Sequence, residues 1–185
     1  MTRMLVFLVT ALCLTAQSKE SSAKKSKSQF SDVRISWNYQ NFPLKIEISD
    51  IQEDKKKFIS ETNSFQKKED SIATTVFPDS TLKVPTKSST AFALLIENPG
   101  PKDYYFFAVP HELNPHQASA GHYFECLCIG KVFKVPAHST WYRIVRLNLN
   151  ESFQNIKKFE INHQIIGLEK SEVLLNYKDR LYEQN

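Results

Sequence analysis

After residue 30 the dominant pattern is a series of short runs of β-branched and aromatic residues, with apolar side chains at alternate positions. Such runs are typical of strands, and turns containing Gly or Pro separate them. No helical pattern lies between the runs, so the sequence predicts an all-β fold, an immunoglobulin-like antiparallel β-sandwich. The runs are VRISW (33–37), LKIEISDI (44–51), TLKVP (81–85), TAFALLIEN (90–98), YYFFAV (104–109), HYFECLCI (122–129), VFKVP (132–136), TWYRIVRLNL (140–149) and FEINHQIIGL (159–168).

Two segments depart from this alternation. Residues 52–71 are highly charged with few apolar positions, which predicts a long mobile loop or a short helix between strands. Residues 169–184 place Val173, Leu174, Tyr177 and Leu181 near helical spacing, which predicts a short amphipathic helix at the C-terminus. We therefore expect a single β-sandwich domain over residues 31–185.

The N-terminus resembles an export signal. The apolar run from Met4 to Leu14 is about as long as a signal-peptide core and much shorter than the roughly 20 residues that span a bilayer. Ala16 and Ser18 fit cleavage after Ser18, so residues 1–18 are predicted to be a signal peptide. An uncleaved short anchor is the second interpretation, and a lipoprotein cleaved at Cys13 is the third. Each places the chain outside the cytoplasm, periplasmic or secreted, with membrane association left open.

Residues 19–30 are polar and rich in lysine, which predicts a disordered tether. A solvated tail is the simpler interpretation of its lysines, and contact with a membrane surface is the alternative. The formal net charge of +4 is small and the lysines are scattered, so we expect no nucleic-acid binding. The four glycines of the whole chain make a glycine-rich phosphate loop improbable.

Beyond Cys13 the chain has two cysteines, Cys126 and Cys128, in the run HYFECLCI. On a strand these side chains share one face, with Cα atoms about 6.6 Å apart. That distance is near the outer limit for a disulfide. Two parallel thiolates suit Cu(I), whereas Zn(II) usually takes four ligands. The pattern therefore predicts a metal site for Cu(I) at Cys126 and Cys128.

Four histidines lie near the cysteine pair in sequence and are candidate additional ligands. His122 shares the face of Cys126, but an extended strand carries it about 13 Å away, so we expect it to lie outside the first coordination shell and its mutation to matter little. The four are His111, His116, His122 and His138.

Other interpretations of the cysteine pair stay open. Free cysteines are often buried, so both could be packing residues of a non-catalytic secreted sandwich. A thiol redox protein is a weaker alternative, because the chain lacks a C-x-x-C at a helix start. No serine or carboxylate forms a hydrolase motif with a histidine, and we expect a binding protein rather than an enzyme.

Residues 82–149 resemble the CtaG-type cytochrome c oxidase assembly proteins, which are copper chaperones for the Cu(B) centre. The resemblance lies in an aliphatic strand, Pro115, the pair Ala120-Gly121, the C-x-C of residues 126–129 and the strand of residues 141–147 after Pro136. It implies an immunoglobulin-like fold and delivery of Cu(I), by ligand exchange, to a cytochrome c oxidase subunit. Two thiolates per chain leave room for a second pair, so a homodimer with copper between protomers is compatible with it.

Overall fold

A computed structural model describes residues 29–182, and two six-stranded β-sheets pack against each other in it. The predicted signal peptide and nearly all of the predicted tether lie outside these residues. Phe30, placed at the end of the tether, instead begins the first strand. Within the described part of the chain, no helix combines the length and the hydrophobicity needed to cross a membrane.

The first sheet has the strand order β10-β7-β12-β1-β5, and β8 also pairs with β12. Numbered in chain order, its strands are β1 (Phe30–Gln40), β5 (Thr81–Pro85), β7 (Tyr104–Ala108), β8 (Glu112–Asn114), β10 (Phe133–Val135) and β12 (Lys158–Leu168).

The second sheet has the order β3-β11-β6-β2-β4, and β9 also pairs with β11. Its strands are β2 (Glu47–Ile51), β3 (Thr62–Phe65), β4 (Ala73–Val76), β6 (Ser88–Asn98), β9 (His122–Glu125) and β11 (Ser139–Leu149).

The prediction of an all-β sandwich with a short C-terminal helix is confirmed. The helix α1 spans Lys170–Asn176, and its Val173 is buried. The strands pair antiparallel except that β1 runs parallel to β12, with Trp37 opposite His163. Short 3-10 turns connect the strands at Glu53–Lys57, Lys68–Asp70, Pro78–Ser80, His116–Gly121, Glu151–Asn155 and Lys178–Arg180.

The charged segment 52–71 contains more structure than its composition indicates. Strand β3 lies within it and pairs antiparallel with β11, with Thr62 opposite Arg143. Thr62 is buried, and its hydroxyl accepts a hydrogen bond from the Arg143 guanidinium at 2.6 Å. Pairing with β11 and this polar contact fix a strand that has too few apolar residues to be predicted from periodicity.

The core between the sheets is rich in aromatic residues. Phe106 of β7 and Phe133 of β10 meet Trp141 of β11 edge-on, with ring centroids 5.5 and 5.6 Å apart, and all three side chains are fully buried. These side chains join the two sheets, since β7 and β10 belong to one and β11 to the other. Cys126 and Leu127 are part of the same core, so the segment that carries the C-x-C pair is anchored to it.

Candidate metal centre

The first sheet contributes a buried histidine, His163 of β12. Along this strand Phe159, Ile161, His163 and Ile165 alternate as inward-facing, buried positions. His163 is 2% exposed, and among the described residues neither of its ring nitrogens has a hydrogen-bond partner. Burying unpaired polar atoms is costly, so an imidazole in this position needs a partner that the protein groups themselves do not supply.

The same sheet places His111 beside His163. Strands β7 and β8 both pair with β12, with Ala108 opposite Ile165 and Glu112 opposite Asn162. The residues between β7 and β8 interrupt the pairing with β12 next to His163. His111 lies in this interruption, half-buried, with its ring centroid 5.1 Å from that of His163.

The second sheet contributes the two cysteines. Strand β9 ends at Glu125, so the prediction of one continuous strand over residues 122–129 is wrong. The chain turns instead: the Arg143 guanidinium binds the carbonyl of Cys126 at 3.3 Å, and the Ile129 N–H donates to the carbonyl of Leu127 at 2.9 Å. The turn brings the Cα atoms of Cys126 and Cys128 to 5.6 Å, and their sulfur atoms pair as a disulfide.

The two sheets together form a compact cluster of four potential ligands. His111 Nδ1 lies 3.6 Å from the sulfur of Cys126 and 3.4 Å from that of Cys128. One ligand atom from each of His111, Cys126, Cys128 and His163 lies within 4.8 Å of all the others. In the disulfide the two cysteine sulfurs are bonded to each other, whereas on opposite sides of one ion they would lie about 4.6 Å apart, so metal binding requires reduction and separation of the sulfurs.

Both imidazoles are kept in the neutral form that ligates metals. Burial and, as the second cause, the neighbouring His111 lower the pKa of His163 to about 3. Burial also lowers the pKa of His111, with His122 as the second cause. At neutral pH each ring therefore keeps a lone pair, and no proton has to be displaced from an imidazolium before a metal binds.

Residues 31–168 match a family model described as a domain of unknown function, DUF8709. The chain belongs to this family. No curated protein and no solved structure matches the chain. All four members of the cluster lie within the part of the chain that matches the DUF8709 family.

Within the DUF8709 domain, the two predicted cysteines and one of the predicted histidines come together. The fourth member of the cluster, His163, is not among the ligands predicted from the sequence. His111 joins Cys126 and Cys128, whereas His116 and His138 are exposed and lie outside the cluster. His163 lies 35 residues after Cys128, too far along the chain for the local pattern around the cysteines to include it. A signal for it exists, because FEINHQI places a histidine at an inward position of an otherwise apolar alternation.

His122 lies closer to the cluster than an extended strand would allow. It is not one of the four grouped ligands, but its Nε2 lies 3.1 Å from Nε2 of His111. When His111 is the donor in this hydrogen bond, its proton is on Nε2 and its Nδ1 lone pair faces the two sulfurs. This is the usual arrangement for a ligating histidine, whose second nitrogen is held by a partner.

Arg143 of β11 stabilises the turn that carries the two cysteines. Its side chain is buried, and it donates to the carbonyls of Ser60 and Cys126 as well as to Thr62. The guanidinium also lies over the rings of Phe133 and Tyr182, at 5.6 and 5.3 Å. The alternation of the strand carries a signal for Arg143, because it shares a face with the buried Trp141, Val145 and Leu147, whereas the half-exposed Arg146 lies on the opposite face.

Proposed function

We propose that the chain is an exported protein that binds one Cu(I) ion, once its disulfide is reduced, through His111, Cys126, Cys128 and His163. Delivery of that copper to a cytochrome c oxidase subunit is the second part of the proposal and is supported by the resemblance of residues 82–149. An immunoglobulin-like arrangement of the sandwich belongs to the same resemblance.

The observation that carries the proposal is His163. A buried neutral imidazole that has no hydrogen-bond partner within residues 29–182 lies within reach of two sulfurs and of a second neutral imidazole. A packing role would be filled at lower cost by an apolar side chain, as at Ile161 and Ile165 on the same strand face. The unpaired nitrogen therefore supports ligation.

Zn(II) is the competing ion, because two thiolates and two imidazoles form one of its usual tetrahedral sets. Thiolate ligands favour both Zn(II) and Cu(I), so the cysteines alone do not distinguish the two ions. Cu(I) also accepts fewer ligands, so it can be bound by the cysteines and one imidazole while the other remains apart. The half-exposed Cys128 then leaves one ligand accessible to an acceptor, which suits delivery better than a closed structural site.

A second candidate function is a non-catalytic sandwich whose cysteine pair is structural, and the observed disulfide favours it. The stabilisation is small, however. A disulfide that closes a loop of three residues restricts the unfolded chain by only about 1.6 kcal/mol, roughly half the value for a 15-residue loop. A structural role also gives no reason for the unpaired His163.

The test is an anaerobic titration of the phosphine-reduced protein with Cu(I) against a competing chelator, repeated with Zn(II). We expect about one Cu(I) per chain, bound more tightly than Zn(II). Cys126→Ser and Cys128→Ser should each remove most of the binding, and His111→Ala and His163→Ala should weaken it strongly. His122→Ala should lower the affinity by about tenfold, as changes to the partner of a ligating histidine do.

The matched control is His116→Ala, which removes an exposed histidine outside the cluster and should leave the titration unchanged. Equal retention of copper by wild type and by both cysteine variants would reject the site. Tight Zn(II) binding with weak Cu(I) binding would assign the cluster to zinc and remove the delivery step. Unchanged affinity in His163→Ala would remove the observation on which the proposal depends.

A further inference from the structure

The two sulfurs of the disulfide differ in their access to solvent. Cys126 is 2% exposed, whereas Cys128 is half-buried and lines a cavity of about 310 Å³. Cys126 does not line this cavity. A nucleophile that enters from solvent through the cavity therefore meets Cys128 and not Cys126.

The chemistry of the cavity walls fits a small organic anion. Phe107, Val132 and Tyr177 provide apolar surface, while Lys131 and Arg180 provide cationic side chains, and no acidic residue lines the cavity. The volume is at the lower end of the range for small-molecule sites. Apolar walls with two cations and no acid select a ligand that carries carboxylates on a short carbon skeleton.

The surroundings of Cys126 favour a negative charge on its sulfur. The backbone N–H of Cys128 donates to Cys126 Sγ at 3.3 Å. The Arg143 guanidinium binds the Cys126 carbonyl at 3.3 Å and thereby adds a fixed positive charge close to this residue. A sulfur that is stabilised as the thiolate leaves faster in thiol–disulfide exchange.

We propose that Cys128 is the exchange sulfur of the pair and that the adjacent cavity binds a low-molecular-weight thiol bearing carboxylates. The thiolate of the small molecule attacks Cys128 Sγ, and the S–S bond breaks with its electron pair passing to Cys126. A second molecule attacks the small-molecule sulfur of the mixed disulfide, which releases Cys128 as a thiolate. Two small thiols are oxidised to one disulfide, and their two protons pass to the two protein thiolates.

This exchange is an activity separate from metal binding, although it generates the two thiols that the proposed copper site needs. It explains why the more accessible cysteine borders a cationic cavity while its partner is buried. Neither the attack nor the release of Cys126 involves a metal ion.

The first arm of the test identifies the reacting sulfur. The metal-free full-length variants Cys126→Ser and Cys128→Ser are mixed with oxidised glutathione, and formation of the mixed disulfide is followed by mass spectrometry. Cys126→Ser, which keeps Cys128, should react at least about tenfold faster than Cys128→Ser, and denaturant should abolish the difference. Equal rates in the folded proteins, or faster reaction of Cys128→Ser, would overturn the assignment.

The second arm tests the cavity. The oxidised wild type is reduced with glutathione and with uncharged 2-mercaptoethanol at equal thiolate concentration. The double variant Lys131→Gln/Arg180→Gln should lower the preference for glutathione by about tenfold, the lower end of electrostatic enhancement in a charged cleft. Lys102→Gln, at a different cavity, is the matched control. An unchanged preference in the double variant, or reduction only by a protein dithiol, would overturn the small-thiol site.

The two proposals fail separately. Exchange rates are measured without metal, so a protein that binds no copper would still show them. Copper binding is measured on phosphine-reduced protein, so it would survive the loss of the exchange site. Far-UV circular dichroism of each variant confirms that the compared proteins are folded.

Discussion

Replacement of His163 by Phe should make the metal-free protein more stable while it weakens copper binding. In the oxidised protein His163 holds two ring nitrogens in the core, and neither has a partner among the described residues. Each unsatisfied buried polar atom costs about 1–3 kcal/mol. The phenyl ring removes both atoms and keeps an aromatic side chain against Trp37, whose ring centroid lies 4.9 Å from that of His163.

The size of the gain follows from two opposing terms. Removal of two unpaired atoms is worth about 2–6 kcal/mol, and the slightly larger ring costs about 1–3 kcal/mol in overpacking. We expect a net gain of about 1–2 kcal/mol in the free energy of unfolding. With a urea slope of about 2 kcal/mol per molar, the midpoint rises by about 0.5–1 M.

The assay is urea unfolding of the oxidised, chelator-treated protein at pH 7, paired with the Cu(I) titration of the reduced form. His116→Phe is the control, because this exposed histidine should change stability by less than about 0.5 kcal/mol. A loss of 1 kcal/mol or more in His163→Phe, with copper affinity unchanged, would refute the reasoning. His163 would then be a well-satisfied core residue and not a ligand.

Two further predictions concern the support of the site and its response to pH. Arg143→Met should lower the free energy of unfolding by about 2–4 kcal/mol, since it removes charged hydrogen bonds to two buried acceptors and one half-buried acceptor. It should also weaken copper binding by releasing Cys126. Thermal and urea unfolding measure the first effect and the Cu(I) titration the second, and Arg146→Met on the same strand should show neither. The oxidised, metal-free protein should lose stability as the pH falls from about 6.5 toward 3. His163 alone should contribute a loss of about 1.4 kcal/mol per pH unit, because its pKa is lowered in the folded protein and the unfolded chain therefore takes up the proton first. Urea midpoints at several pH values measure this slope, and a His163→Phe slope equal to that of the wild type would contradict the assignment.

Local pattern determined most of the strands. TLKVP forms β5 with the predicted bounds, and the alternations in residues 90–98, 140–149 and 159–168 lie within β6, β11 and β12. Strands β5 and β12 each bury one face, so their sequences alternate with a period of two. Strands β6 and β11 are buried on both faces along their central parts, and their nearly continuous apolar runs reflect this. The C-x-C pair could be recognised as the reactive feature of the chain for a similarly local reason.

The site itself was decided by the tertiary structure. The antiparallel pairing of β7 and β8 with β12, and the interruption between them, bring His111 to His163, although 52 positions separate them in sequence. Strand β9 ends at Glu125 and does not continue through the cysteines, because residues 60–65 pair with the next part of the same edge of β11. Arg143 of β11 then binds the carbonyl of Cys126. Periodicity reports which face of a strand is buried, but it carries no information on which distant polar residue shares that interior. For that physical reason the sequence alone indicated two sulfur ligands, and the packing of the two sheets was needed to place two imidazoles beside them.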